Sequence, residues 1–140
     1  MTTATTAPAH TAGETFIRSI AIGVSDMRKT IEFYSKVFGM QHIQSYDLPN
    51  KDEIVIGFPE AKRGGRLCLM HWTDGSNPNY RDLPIKIVLE VPDANEVARR
   101  VTEAGYEMTR GPFVSPASGS TIGFAKDPDG YVVEFMQLAH

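Results

Sequence analysis

The 140-residue sequence has a single cysteine, Cys68. A lone thiol closes no disulfide within its own chain, and without further cysteines there is no zinc ribbon or finger. Cations are not in surplus either: 14 Lys and Arg against 17 Asp and Glu leave a net charge of -3 and a pI near 5.8. They are also scattered, so no field draws in a phosphate backbone, and nucleic acid is not an expected partner. No apolar run approaches the roughly 20 residues of a membrane-spanning helix. Residues 1–15 are rich in Thr and Ala and lack both the basic and the apolar region of a secretory signal, so we expect a disordered tail on a cytoplasmic protein. A Walker loop, a Rossmann glycine fingerprint and a Ser-His-Asp arrangement are missing as well.

What is present is ordinary globular usage, 41% hydrophobic and 22% charged, in a length that suits one domain with a real core. Its most informative stretch is Asp127-Pro128-Asp129-Gly130-Tyr131-Val132-Val133-Glu134-Phe135. Pro and Gly between aspartates make a tight turn, and the β-branched and aromatic run behind it makes a strand. Period 2 puts Val132, Glu134 and Met136 on one face and Tyr131, Val133 and Phe135 on the other. Glu134 is then either a solvated edge residue or a carboxylate held in a cavity.

The rest of the chain reads as one supersecondary unit used twice. Residues 16–24 alternate as a strand, with Ile20, Ile22 and Val24 on one face. Asp26 caps a helix to Phe38, whose stripe includes Met27, Ile31, Tyr34 and Phe38, and Gly39 stops it. Strands follow at about 41–48, 53–58 and 65–72. Residues 73–84 have linker composition. From Lys86 the plan returns: Ile87 and Leu89 alternate, Asp93 caps a helix that ends before Gly105, and strands follow at about 106–114, 120–126 and 131–138. The expected fold is α+β, a single domain over 16–138 made of two βαβββ modules (16–72 and 85–138) that form a curved mixed sheet around a concave cup, with the helices on the outer face.

If the Ile and Leu faces meet the helices, the opposite faces carry Ser19, Arg66, Cys68 and Met70 in the first module. In the second they carry Lys86, Phe124, Val132, Glu134 and Met136. Ser19, Cys68, Lys86 and Glu134 occupy matching places in the repeat, and on this reading they converge on the cup.

Across residues 16–138 the chain resembles the vicinal oxygen chelate superfamily, which includes glyoxalase I, bleomycin-resistance proteins and extradiol dioxygenases. The resemblance is carried by Ile22-Gly23-Val24-Ser25-Asp26, by Glu32-Phe33-Tyr34 running to Gly39-Met40, and by Asp127-Pro128-Asp129-Gly130-Tyr131 followed by Glu134. It implies a homodimer that handles a small molecule. Metal-binding members place four His, Gln or Glu ligands at the positions that here are Ser19, Cys68, Lys86 and Glu134. Only Glu134 is a standard oxygen ligand and Lys86 repels a cation, so no metal or other cofactor is expected.

The candidate catalytic residues are Glu134, Lys86 and Cys68. A Glu134–Lys86 pair is a structural ion pair on one reading, and on the other a general base beside a cation that stabilises an enolate. Cys68 is either inert core or a nucleophile activated by a nearby lysine. Ser19, Arg66, Met70, Trp72, Phe124 and Met136 are candidate substrate contacts, each with a plain packing or solvated alternative. His42 and His71 are lone strand histidines with no assigned role. The function expected is a glyoxalase-like lyase or isomerase acting by proton transfer, or else a protein that sequesters a small molecule.

Overall fold

The first helix, α1 (Met27–Phe38), starts and stops where its side chains require. Asp26 is extended, and its carboxylate accepts the Lys29 N–H at 3.1 Å, which satisfies one of the otherwise orphaned donors of the first turn. Gly39 adopts φ 84 at the other end, and its N–H returns to the Ser35 carbonyl. Between them Thr30, Phe33, Tyr34 and Val37 form the buried stripe. The second helix, α2 (Ala94–Glu103), repeats the device, with Asp93 accepting from Glu96 N at 3.1 Å and Ala94, Val97, Ala98 and Val101 buried.

The structure, a computed structural model, describes residues 17–61, 64–79 and 85–139. The expected tail, Phe16 and the end of the linker lie outside these residues. In the first module β1 (Ser19–Gly23), β2 (Gln41–Asp47), β3 (Lys51–Gly57) and β4 (Arg66–Trp72) form one sheet in the order β1-β4-β3-β2. The second uses β5 (Lys86–Glu90), β6 (Met108–Val114), β7 (Thr121–Lys126) and β8 (Val132–Gln137) in the order β5-β8-β7-β6. In each sheet the strand before the helix runs parallel to the last strand, and the remaining pairs are antiparallel. The two βαβββ modules are therefore present as expected.

Among the described residues each module forms its own four-stranded sheet, with β1 and β5 each at an edge. Alternation breaks in β6, whose register shifts between Met108 and Arg110 and between Arg110 and Phe113. Gly111 sits at φ 76 there, and an added Cβ would meet the Ile122 carbonyl at 2.6 Å. Only glycine fits that bulge.

One core serves both modules. Ile22, Ile56 and Leu69 from the first sheet and Leu89, Val133 and Phe135 from the second lie in the same buried cluster as Phe33, Val37, Val97 and Val101 of the helices. Each such side chain contributes about 1.5–3 kcal/mol by leaving water. Aromatic contacts tie α1 to the second module: Phe33 meets Tyr106 edge-on at 4.9 Å, and Phe38 meets Phe135 of β8 at 6.1 Å. The 127–131 turn adds polar ties. Tyr131 Oη donates to the Gly23 carbonyl at 3.0 Å, and the Ser25 N–H donates to both oxygens of Asp129 at 3.1 Å. With the helix-facing sides used in this way, the other face of each sheet stays open.

Candidate functional site

β8 lies between β5 and β7, and its register sets the composition of the second open face. Lys86 stands beside Val132, and Val88 and Phe124 flank Glu134. Glu134 is only 8% exposed, so its carboxylate needs a partner. Lys86 supplies it, with Nζ 2.8 Å from Oε1, while about half of the lysine side chain (52%) remains in solvent. This is a carboxylate fixed in a mostly desolvated place by a cation that is itself wet. An ammonium has three N–H donors, and Glu134 uses one of them.

The first open face is built the same way from different residues. Register places Ala21, Cys68 and Val55 in one row and Gly23, Met70 and Glu53 in the next, with Ser19 beside Arg66 and Lys51 beside Trp72. Lys51 Nζ is 3.2 Å from Glu53 Oε2 and sits over the Trp72 ring at 5.2 Å. The Cys68 thiol points at Glu53 Oε1, 3.5 Å away. Burial, and then the Glu53 carboxylate, push this thiol up to about 11 against a weaker pull from Lys51. A nucleophilic cysteine needs the opposite shift, and among the described residues the groups that favour the protonated thiol outweigh Lys51.

Glu134 and Lys86 are thus brought together as expected, and Phe124 and Met136 share their face. Ser19, Arg66, Cys68, Met70 and Trp72 lie on the other sheet. Ser19 and Cys68 thus stand on the first sheet and Lys86 and Glu134 on the second. His42 is exposed and bonds Ser45 at 2.6 Å. His71 donates from Nδ1 to the Val24 carbonyl at 3.0 Å, at the rim of a cavity of about 100 Å³ between the modules. Neither histidine stands on the face that holds Glu134.

The donor set does not suit a divalent ion. At the four positions that the family resemblance points to, a hydroxyl, a thiol with a raised pKa, an ammonium and one carboxylate are found, and the ammonium already occupies the near side of that carboxylate. Three residues at these faces escaped the sequence reading. Glu53 was hidden in the charged run Lys51-Asp52-Glu53, where period alone does not say which charge finds a partner. Arg110 and Phe113 were hidden by the bulge. Gly111-Pro112 inside an alternating run was the signal that two residues three apart share a face.

A family model described as Glyoxalase/Bleomycin resistance protein/Dioxygenase superfamily matches residues 16–135. A lactoylglutathione lyase of Arabidopsis thaliana is 31% identical over 120 residues, covering 81% of this chain and 41% of the plant protein, so the chain spans less than half of that relative. A lactoylglutathione lyase of Neisseria meningitidis is 29% identical over 116 residues, covering 81% of this chain and 84% of the relative. The crystal structure of glyoxalase I from Zea mays superposes with a TM-score of 0.71 at 26% identity, over 89% of this chain and 45% of that one. The family match takes in both modules and ends one residue after Glu134, so repeat, turn and carboxylate all fall within it: this chain belongs to the Glyoxalase/Bleomycin resistance protein/Dioxygenase superfamily.

Proposed function

We propose that the protein is a glyoxalase-like lyase or isomerase that moves a proton on a small carbonyl compound, with Glu134 as the base and Lys86 in place of a metal. The contact that carries this reading is Lys86 Nζ to Glu134 Oε1 at 2.8 Å on an open face. Glu134 takes a proton from the carbon next to the carbonyl. The C–H electrons become the new C=C bond, the carbonyl pair moves to oxygen, and a free N–H of Lys86 donates to that oxygen. Where the deprotonated carbon bears a hydroxyl, that hydroxyl proton passes to the former carbonyl oxygen and the proton on Glu134 returns to the former carbonyl carbon, which completes an isomerisation; where the next carbon along bears a leaving group, the enolate pair expels it as the carbonyl re-forms, which completes a lyase step. The lactoylglutathione lyases among the relatives support this class of reaction.

Two further parts belong to the reading. The ammonium replaces the divalent ion, so purified protein carries none in stoichiometric amount; one bound Ni, Zn, Fe or Mn per chain overturns this. The working form is a two-fold dimer, in which the open face of one chain's first sheet closes over the second sheet of its partner. Edges β1 and β5 support it, since Ile20 is 54% and Val88 51% exposed there.

The test is solvent exchange. In deuterated water, with lactoylglutathione and a panel of small carbonyl compounds, the protein catalyses uptake of deuterium next to the carbonyl of its substrate. Glu134→Gln lowers the rate by roughly a hundredfold or more, with ligand affinity nearly kept. Undiminished exchange in this variant removes Glu134 as the base, and stoichiometric binding of a ligand without any exchange favours a sequestering protein.

A further inference from the structure

Beyond the acid–base pair, the second open face carries a row of residues that the proposed reaction does not use. Arg110 stands beside Phe124 on the neighbouring strand, and Phe124 stands beside Glu134 on the next. The bulge at Gly111-Pro112 brings Phe113 to the same face, beside Ile122. As a result the Arg110 guanidinium lies 4.6 Å from the centre of the Phe113 ring and 5.9 Å from that of Phe124. These two cation–π contacts favour a guanidinium held over the face before any ligand arrives, and Arg110 as a residue stays exposed. Among the described residues no carboxylate pairs with Arg110. Lys126, exposed on the same face, adds a second positive charge.

We propose that Arg110 is a specificity residue that takes the anionic end of the substrate, so that the ligand is a carbonyl compound bearing a carboxylate at the far end of an apolar spacer. Neighbouring strands are about 4.8 Å apart, which puts the Arg110 and Glu134 positions roughly 10 Å from each other across the face. Phe124 lies between them, with Ile122 and Met136 alongside. These are surfaces for a hydrocarbon or an aromatic ring. The reacting carbon then sits at Glu134, the spacer over Phe124 and the oxyanion on the guanidinium fork. The position of the reacting carbon rests on the reading of Glu134 as the base; the anion preference of Arg110 does not.

The experiment is a binding series that needs no turnover. Phenylacetate, 3-phenylpropanoate, 4-phenylbutanoate and 6-phenylhexanoate, each paired with its primary amide, are titrated by calorimetry and protein NMR into the full-length protein and its variants. The intact protein prefers the best carboxylate to its amide by roughly tenfold to a hundredfold, the range expected for a two-point charge-assisted contact. Arg110→Gln abolishes the preference, and Arg110→Lys, which keeps the charge but not the stacked fork, restores only part of it. Glu134→Gln leaves it intact, and this separates failure of the anion site from failure of the proposed base. Equal binding of carboxylate and amide, a preference that survives Arg110→Gln, or no saturable binding of any carboxylate at millimolar concentration overturns the proposal. Backbone amide shifts recorded for each variant separate loss of the site from loss of the fold.

Discussion

Tyr34 Oη donates a 2.9 Å hydrogen bond to Oδ2 of Asp127, 93 residues further along the chain and in the other module. The same carboxylate accepts the N–H groups of Asp129 and Tyr131 through Oδ1, at 2.9 and 3.0 Å. It thereby shapes the turn whose Asp129 and Tyr131 hold the end of β1. Burial outweighs these three donors and pushes Asp127 up to about 6 from its ordinary 3.8.

The sign of the resulting pH dependence follows from proton uptake. Between pH 4 and 6 the folded chain holds a proton on Asp127 that the unfolded chain has released, so stability falls as pH rises. The contribution is complete below about 4 and lost above about 6, on the order of 3 kcal/mol at most for a shift from 3.8 to about 6. Asp127→Asn keeps the acceptor and removes the titration. Its denaturation midpoint, followed from pH 4 to 8, loses this slope; an unchanged slope assigns the titration to another group.

The caps, the repeat and the orientation of Glu134 were legible because each depends on local chemistry. Asp26, Gly39 and Asp93 act within one turn of their own helices, and the alternation of Val132, Glu134 and Met136 needs no tertiary information. How the two modules pair was not legible. Ile20 and Ile22 share a face and a pattern, yet Ile22 is buried and Ile20 is half in water, a difference that alternation within the strand does not carry. Arg110 on the face of Phe124 was likewise out of reach, since a bulge changes the parity that the pattern assumes.

Cys68 is expected to behave as a quiet thiol. With its pKa pushed up to about 11, roughly one molecule in ten thousand is thiolate at pH 7, and iodoacetamide reacts correspondingly slowly with the native protein. Glu53→Gln removes the negative charge beside the thiol, so it lowers this pKa and speeds alkylation several-fold. Cys68→Ala leaves turnover within about twofold if Glu134 is the base. Rapid alkylation of the native protein, together with loss of turnover in Cys68→Ala, would restore the thiol as a nucleophile.

The unpaired edges lead to a prediction about mass. Light scattering at micromolar concentration should give twice the 15.5 kDa of the chain. Ile17, Ile20 and Val88 are large apolar side chains left exposed on or beside β1 and β5, and a partner strand there removes them from water at about 25 cal/mol per Å². Ile20→Asp places a charge in that contact and shifts the mass toward the monomer, with circular dichroism unchanged because Ile20 lies outside the buried cluster. A native monomer at this concentration rules out a cup completed across two chains.

The Lys86–Glu134 contact is lopsided, and the asymmetry predicts unequal mutational costs. Lys86 has about half of its side chain in solvent, so removing its partner lets the ammonium turn into water with little loss. Glu134 is nearly buried, so removing the lysine leaves a carboxylate with neither a partner nor full hydration. Glu134→Gln should therefore cost less than about 1 kcal/mol and Lys86→Met about 1–3 kcal/mol at pH 7, with the double change recovering much of the second loss. Urea denaturation of the four proteins at pH 7 reads out the cycle. Equal costs at pH 7 would mean that Glu134 is as well hydrated as Lys86, and the case for a carboxylate poised in a dry place would fail with it.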